Sequence, residues 1–400
     1  MSDIHLNQAS TICFTIKSTL KNSFLRCLVI TVSTLGLNCS NSWAQISVGL
    51  FDKEPIKTVL FSPMQGSYVL LNAKSDTVYK FRSDDAVSIS ANGQEIVVKS
   101  AYGLNDTLSN CYLIGSGSGT TFRIRVNDES KDLIYYESLQ IGIRSGELKM
   151  VNSVGIERYV SRVVQAEVGY GAAEEYYKIQ SIICRTYAIR NLERHALDGF
   201  DVCDHEHCQV YSGSKTPTDI VVKATAATSG LVMLSKENDL ILSAFHSNCG
   251  GQTANSEDVW KESRSYLKSV NDTFCLSERS ASWTKSMKLE EFKAQLGWSN
   301  DELADGFTWS QPERNKYFKA GSDSLATSKM RRLFRLRSTY FDLTISDGSV
   351  NFTGRGYGHG VGLCQQGAMK MAESGYSYSQ ILGYYYKGVS LAPISSLQEE

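Results

Sequence analysis

The chain has 400 residues, of which 41 are Lys or Arg and 42 are Asp or Glu, so its formal net charge is −1. This balance argues against a nucleic-acid-binding protein, which usually carries a basic excess, and a hydrophobic fraction of 42% with 21% charged residues excludes a disordered chain. The length predicts two or three domains, and the meaning of the 10 cysteines depends on the compartment.

Residues 1–44 have the features of a secretory signal peptide. Basic residues lead into an apolar run at 25–37, and the small residues at 42 and 44 suit signal peptidase. The run is short for a membrane span, and the sequence before Cys39 is a poor lipoprotein signal, so we expect no lipid anchor. We expect export to the periplasm or cell envelope and no transmembrane helix in the mature chain. A buried N-terminal helix is the alternative.

Residues 45–145 predict a β-rich N-terminal domain. Short runs of alternating apolar residues are separated by clusters of Gly, Asn, Asp and Ser, which is the pattern of strands and turns. The predicted strands are Ile46–Phe51, Tyr68–Leu71, Thr77–Phe81, Glu95–Val98 and Phe122–Val126.

Residues 146–395 predict a second, mixed domain, so the fold class is α+β. Helical periodicity marks four segments, and two more are strand-like. The predicted helices are 156–168, 172–195, 366–374 and 379–386, and the predicted strands are 240–245 and 341–350. Residues 277 to about 330, rich in tryptophan and charge, predict a helical insertion.

Glu167 is the first candidate catalytic residue. It lies near the end of the first predicted helix, on the same face as Val160, Val163 and Val164. A carboxylate on an apolar face is desolvated, which raises its pKa toward the range of a general acid. A solvated glutamate at a helix end is the alternative.

The segment from His195 to Cys208 contains two cysteines and two or three histidines within fourteen residues, a composition that suits a tetrahedral zinc site. His195 would lie at the end of the long predicted helix. The two-residue spacing of His205 and His207 differs from the metalloprotease HExxH pattern. Four filled ligand positions would make the metal structural, whereas a disulfide between Cys203 and Cys208 is the alternative in an oxidising compartment.

Two further segments are rich in glycine. His246 to Thr253 contains Cys249, and Gly354 to Gly362 has glycine at every second position, with Tyr357 and His359 between them. Neither matches a phosphate-binding or dinucleotide-binding loop. Alternating glycines indicate a backbone that approaches something closely, although a plain structural loop is the alternative.

In this order, the segments resemble the stage II sporulation protein D family of peptidoglycan lytic transglycosylases and its amidase-enhancer relatives. The resemblance rests on Gly142–Val160, Glu167, Cys184–Ala188, Asp201–Asp204, His207–Tyr211, His246, Ser247, Gly250, Gly251, Asn255–Trp260, Arg337–Thr339, Gly354–Gly362, Gln365, Gly367, Ala368 and Tyr384–Gly388.

The resemblance implies that Glu167 is the acid/base and that the substrate is glycan stripped of stem peptides, cleaved between MurNAc and GlcNAc to leave 1,6-anhydroMurNAc ends. Ordinary glycosidases need two carboxylates, but here the sugar's own 6-hydroxyl would be the nucleophile, so one carboxyl can act as acid and then as base.

The resemblance also implies the other site residues. Candidate substrate-binding residues are Arg185, Tyr187, His246, Ser247, Tyr357, His359 and Gln365, and the ligands of a structural Zn²⁺ would be His195, Cys203, His207 and Cys208. Two rival functions remain: a non-catalytic wall-binding enhancer of a partner amidase, and a zinc hydrolase that uses the His/Cys cluster.

The chain departs from the family pattern at several positions. Residues 168–171, which follow Glu167, lack the usual proline, and Cys249 and Cys364 stand where serine is common. We expect these two cysteines to face each other and to be able to form a disulfide, and we expect Cys184 to be a free thiol.

Overall fold

The computed structural model describes residues 45–397 except 83, 128, 299 and 300. The predicted signal peptide lies outside the described residues. Within the part of the chain that is described, no helix is long and apolar enough to cross a membrane.

The chain forms two compact units. One unit ends at Ile156 and also contains residues 193–204, and the other comprises residues 157–192 and 205–400. The predicted boundary after residue 145 therefore falls one strand earlier than the end of the first unit.

The strands are β1 (Gln45–Leu50), β2 (Thr58–Gln65), β3 (Tyr68–Leu71), β4 (Thr77–Lys80), β5 (Val87–Asn92), β6 (Glu95–Ser100), β7 (Asn105–Leu108), β8 (Cys111–Gly115), β9 (Thr121–Val126), β10 (Leu133–Tyr136), β11 (Ser138–Arg144), β12 (Glu147–Gly155), β13 (Val202–Cys203), β14 (Leu231–Leu234), β15 (Phe245–His246), β16 (Ser282–Lys288), β17 (Thr308–Trp309), β18 (Tyr317–Ala320), β19 (Asp323–Ala326), β20 (Tyr340–Ser346), β21 (Ser349–Arg355), β22 (Leu363–Cys364) and β23 (Ser390–Pro393).

The α-helices are α1 (Ile156–Val168), α2 (Glu174–Arg190), α3 (Asp219–Ala227), α4 (Ser256–Val259), α5 (Leu289–Leu296), α6 (Thr327–Leu333), α7 (Gln365–Glu373) and α8 (Tyr378–Tyr385). Strands dominate the first unit and helices follow later, so the α+β prediction and the β-rich N-terminal region are confirmed.

The first unit is built from two sheets. Their strand orders are β13-β1-β12-β11-β8-β3-β4 and β10-β9-β2-β5-β6-β7. Alternate residues of the strands are buried, as in β9 and β12, so each sheet turns one apolar face inward. Tyr68 of one sheet contacts Phe61 and Phe122 of the other, with ring centroids 5.4 and 6.1 Å apart, and joins the two inner faces.

The second unit has two apolar cores. One surrounds α2, whose Tyr176, Ile179 and Ile183 are fully buried, and includes residues of α7 and α8. The other lies between α5, α6 and the sheet with the order β16-β21-β20-β17, and contains Phe292, Phe341 and Phe352 among its members.

Helix α2 is shorter than predicted. The expected helix reaches His195, but α2 ends at Arg190 because the Asn191 side chain donates a 2.7 Å hydrogen bond to the carbonyl of Tyr187 and Glu193 adopts a positive φ of 64°. His195 therefore does not end the helix. It lies in a short bridge with Phe200 instead.

The predicted helical insertion is also corrected. Residues 277–330 contain α5 and part of α6, but also β16 to β19. Strands β16 and β17 pair with β21 and β20 across their full lengths, so the segment completes a sheet with later strands rather than covering them with helices. The expected strand at 341–350 is a hairpin of β20 and β21, which turns at Asp347 and Gly348, both with positive φ.

Candidate functional site

Glu167 lies in the last turn of α1. Val160, Val163 and Val164 on the same face are fully buried, and Glu167 itself is half-buried at the edge of this face. The helix ends one residue later, at Val168, where Gly169 takes a positive φ of 79°. The helical periodicity of the sequence predicts this position correctly.

The surroundings of Glu167 favour its protonated form. Burial raises the pKa of this carboxyl, which is the direction that the apolar face predicts, and the negative charge of Glu206 raises it further. The backbone N–H of Val210 donates to the carboxyl and, with the positive charge of Lys215, opposes the rise in pKa. A carboxyl with this combination holds its proton more readily than an exposed glutamate, and its charged form is still stabilised by the N–H donor and the nearby positive charge.

The segment that carries these groups is fixed to α1 by buried contacts. Arg162, fully buried, donates from Nη1 to the carbonyls of Ser212 and Lys215 at 3.0 and 3.1 Å. Tyr159 stacks on Tyr211 with ring centroids 5.1 Å apart. These contacts set the position of the Val210 N–H relative to the helix, so the donor is in place before any substrate binds.

The loop after Glu167, residues 168–171, is fixed by hydrogen bonds on its buried side and is exposed to solvent at its tip. Nε2 of the buried Gln165 donates to the Gly169 carbonyl at 2.6 Å, and the Tyr177 hydroxyl donates to the same oxygen at 3.2 Å. Tyr170 at the tip of this loop is 69% exposed. The sequence analysis does not single out Tyr170, which lies between Gly169 and Gly171 three positions after Glu167.

Arg185 is not supported as a substrate-binding residue. Its side chain is fully buried, Nε donates to Glu157 Oε1 at 2.8 Å, Nη2 donates to the other carboxyl oxygen, and Nη1 donates to the Leu231 carbonyl at 3.0 Å. These contacts tie α2 to the start of α1. The Tyr187 hydroxyl, half-buried, donates to the His207 carbonyl at 3.4 Å, and its contact with substrate stays a prediction.

The two glycine-rich segments pack against each other. Strand β15 pairs with β22 in parallel, and Asn248 exchanges hydrogen bonds with Tyr357. A β-carbon on Gly356 would lie 2.5 Å from the Asn248 carbonyl oxygen, and one on Gly250 would lie 2.6 Å from the backbone of residues 355 and 356. The close approach that alternating glycines predict is therefore confirmed, and the partner is backbone.

Two histidines lie where the glycine-rich segments 246–253 and 354–362 pack against each other, a region that we call the crossing. His246 is buried and its Nδ1 donates to the Val361 carbonyl at 3.1 Å, while His359 Nδ1 accepts the Val361 N–H at 3.0 Å. Burial lowers the pKa of His246 far below its usual value and lowers the pKa of His359 to about 4, so both rings are neutral at mild pH. The ring of Trp260 lies against His359, with centroids 5.2 Å apart.

The other predicted substrate-binding residues lie beside this crossing. Ser247 is half-buried, Tyr357 is 48% exposed, and Gln365, the first residue of α7, hydrogen-bonds to Tyr176 of α2. Five of the candidates, His246, Ser247, Tyr357, His359 and Gln365, thus lie at or beside the crossing. Val168 packs against the apolar core that also contains residues of the crossing. Binding of substrate by these five residues stays a prediction.

The predicted zinc ligands are divided between the two units. His195 and Cys203 belong to the first, and His207 and Cys208 to the second. Within the second unit, Cys208 Sγ and His207 Nδ1 are 3.7 Å apart, a separation that two ligands of one zinc ion would have. Cysteine and histidine side chains of the described residues form groups that could hold a metal ion. That the ion is zinc stays a prediction.

The predicted neighbours Cys249 and Cys364 do lie together. The backbone N–H of Cys249 donates to Cys364 Sγ at 3.3 Å. Cys249 and Cys364 form no disulfide with each other, and the sulfur 3.4 Å from Cys249 Sγ is that of Cys275. Cys184, expected to be free, is fully buried within α2.

Comparison with known proteins gives a consistent picture. The profile of the stage II sporulation protein (SpoIID) family matches residues 144–234, which include Glu167. Stage II sporulation protein D of Bacillus amyloliquefaciens is 27% identical over 298 residues, 70% of this chain and 86% of that protein, and its namesake in Bacillus subtilis (strain 168) is 29% identical over 260 residues, 60% and 76%. The amidase enhancer of the latter strain is 29% identical over 286 residues, which cover 57% of this chain and 39% of the enhancer. With the ordered motifs from Glu167 to residues 354–362, these matches show that the chain resembles the stage II sporulation protein D family, whose profile covers residues 144–234.

Proposed function

We propose that this chain is an exported peptidoglycan lytic transglycosylase, with Glu167 as its general acid and base. The observation that carries the proposal is the half-buried Glu167, whose pKa burial raises and which accepts the Val210 N–H. An acid for a glycosidic oxygen must hold its proton at mild pH, and burial is the means by which proteins achieve this for a glutamate.

In the proposed reaction, protonated Glu167 donates to the oxygen that leaves C1 of the muramic acid. The C1–O bond breaks, and the 6-hydroxyl of the same sugar attacks C1 while Glu167, now a carboxylate, accepts the hydroxyl proton. The bond lost and the bond formed are both C–O, the proton passes from O6 to the leaving oxygen through one carboxyl, and no water is consumed. The Val210 N–H stabilises the intermediate carboxylate.

Neighbouring groups have supporting roles in this proposal. Lys215, which opposes the rise in the pKa of Glu167, keeps the carboxyl from becoming too weak an acid. The exposed ring of Tyr170 offers an apolar face for a sugar ring beside the acid. Tyr357, half exposed at the crossing of the glycine-rich segments, is a second contact of the same kind.

The test is the product formed from glycan strands without stem peptides, incubated in H₂¹⁸O and analysed by mass spectrometry. Transglycosylation predicts 1,6-anhydro ends without ¹⁸O. Reducing ends that carry ¹⁸O would instead indicate hydrolysis and would overturn the proposed mechanism. The exposed Glu206 would then be the second carboxylate to examine.

A second candidate function is favoured by the similarity to an amidase enhancer. In this alternative the chain binds the wall and raises the activity of a partner amidase without cleaving glycan. Residues 168–171 differ from the family pattern directly after Glu167, which fits a changed activity. A chain that releases no glycan product, yet accelerates peptide release by a cell-wall amidase, would select this function.

A structural zinc ion held by His195, Cys203, His207 and Cys208 is a further part of the proposal. Thiolate and imidazole are the ligands that zinc prefers, and a filled set of four has a structural role. Such an ion would restrain the segment that leads from Cys208 to the Val210 N–H. Metal analysis of a Cys208→Ser variant tests it, because unchanged zinc content would exclude this ligand set, and a Cys203–Cys208 peptide in a non-reducing digest would identify the disulfide alternative.

A further inference from the structure

Three cysteines and one aspartate, none of them a predicted zinc ligand, converge in the core of the second unit. Cys249, Asp272, Cys275 and Cys364 each present one sulfur or carboxyl oxygen, and these four atoms all lie within 4.8 Å of one another. All four residues are fully buried. They come from the segment after β15, the loop at 271–278 and the end of β22, so only the folded chain brings them together.

The separations fit four ligands around a single ion. Cys249 Sγ lies 3.4 Å from Cys275 Sγ and 3.3 Å from Asp272 Oδ2. A tetrahedral zinc ion with Zn–S bonds of about 2.3 Å and a Zn–O bond of about 2.1 Å places two sulfurs about 3.8 Å apart and a sulfur and an oxygen about 3.6 Å apart. A disulfide would need about 2.05 Å between sulfurs, and would leave one thiol and the carboxylate without a role.

The ligand atoms accept hydrogen bonds from neighbouring backbone and side-chain groups. Cys364 Sγ, at the N-cap of α7, accepts the backbone N–H groups of Cys249 at 3.3 Å and of Gly367 at 3.4 Å. Such donors at a helix N-terminus stabilise a thiolate, which is the ligating form of cysteine. These N–H groups therefore orient the sulfur, as hydrogen-bond partners of metal ligands do in protein metal sites.

Asp272 is oriented in the same way. Its Oδ1 accepts the Phe274 N–H at 3.0 Å, and its Oδ2 accepts the Tyr385 hydroxyl at 2.9 Å while facing the sulfurs. A β-carbon on Gly367 would lie 2.1 Å from Oδ2, so the carboxyl reaches this place only because residue 367 is glycine. In the described part of the chain, no ion pair neutralises this buried carboxylate.

One positive group lies close to the cluster without bonding to its ligand atoms. The buried guanidinium of Arg314 donates from Nη2 to the Cys249 carbonyl at 2.6 Å and from Nε to the Gln252 carbonyl at 2.6 Å. Three thiolates and a carboxylate carry two more negative charges than one zinc ion can balance, and Arg314 offsets part of that excess.

We propose that Cys249, Asp272, Cys275 and Cys364 bind a single structural Zn²⁺. Four protein ligands in a fully buried place leave no open position for water or substrate, which is the arrangement of a structural site. The ion would tie the glycine-rich segment after β15 to the start of α7, and so fix the crossing that carries His246 and Tyr357. The proposal does not depend on the activity of Glu167.

The test counts zinc by native mass spectrometry in the full chain, purified with reductant and zinc. We expect Cys275→Ala and Asp272→Ala each to lose one ion per chain relative to the unmodified protein, whereas Cys111→Ala, which removes a buried thiol of β8, loses none. A Cys208→Ser variant should lose a different ion, so that its combination with Cys275→Ala loses both. Unchanged zinc content in folded Cys275→Ala would overturn the proposal.

Two measurements on the unmodified chain keep the proposal testable if the variants do not fold. Crystals measured on both sides of the zinc absorption edge should show an anomalous peak about 2.3 Å from the three sulfurs, and the absence of that peak would refute the site. A non-reducing digest should contain Cys249, Cys275 and Cys364 as separate thiol peptides. A linked pair among them would show that the cluster is a disulfide instead.

Discussion

Replacing Gly356 by alanine measures how tightly the two glycine-rich segments are packed. The new β-carbon would lie 2.5 Å from the Asn248 carbonyl oxygen and 2.7 Å from the carbonyl carbon of Cys249, and φ is +76°. A left-handed φ costs an alanine about 1–2 kcal/mol, and forcing atoms into a packed place adds about 1–3 kcal/mol. We expect Gly356→Ala to lower the free energy of unfolding by about 2–5 kcal/mol.

Gly375 provides the matched control. Its φ is +88°, but a β-carbon there would meet no atom within 4 Å, so Gly375→Ala has the backbone cost alone. Urea unfolding followed by circular dichroism gives both free energies. A difference of less than about 0.5 kcal/mol between the two variants would show that the segments are not in close backbone contact, since the second cost of about 1–3 kcal/mol would then be missing.

Two further predictions concern the charges near Glu167 and the buried ion pair of Arg185 with Glu157. If protonated Glu167 is the active form, activity falls as pH rises through the pKa of Glu167. Glu206→Gln removes a negative charge and lowers this pKa, so the loss of activity moves to lower pH. Lys215→Gln removes a positive charge and raises this pKa, so the loss of activity moves to higher pH. Rate profiles of kcat/KM on denuded glycan check this, and shifts in the same direction would contradict it. Arg185→Leu leaves the Glu157 carboxylate without its buried partner, so we expect a loss of about 3 kcal/mol in the free energy of unfolding with KM unchanged. A raised KM at normal stability would restore Arg185 as a substrate contact.

Regular patterns in the sequence predict the first unit well, because its strands have one buried face. The expected strands at 68–71 and 122–126 agree with β3 and β9 within one residue. Helix α1 is predicted with its correct ends, since its apolar face and the glycines after it are local signals. Tertiary contacts are not needed to find such elements.

Features set by single side chains or by distant partners are missed. The end of α2 depends on the Asn191 side chain, and the turn between β20 and β21 depends on the Asp347–Gly348 pair, a hairpin signal that could have been recognised. The burial of Arg185 follows from its pairing with Glu157, 28 residues earlier. The residues next to an arginine in a helix do not show whether its side chain is exposed or buried, so the sequence alone does not predict this burial.

The candidate site shows the same division. Glu167 and its raised pKa follow from helical spacing, but the Val210 N–H reaches the carboxyl because Tyr159 and Arg162 hold the segment at 211–215. The cluster around Cys275 has no sequence spacing that marks it, because its ligands come from three separate segments.

The most direct test of the central claim is a Glu167→Gln variant assayed on denuded glycan. Glutamine keeps the size and the hydrogen bond from Val210 but cannot transfer a proton, so we predict that 1,6-anhydro product forms about 10²- to 10⁴-fold more slowly while glycan binding and the unfolding transition are preserved. Formation of that product at the unmodified rate would contradict the assignment of Glu167 as the acid and base.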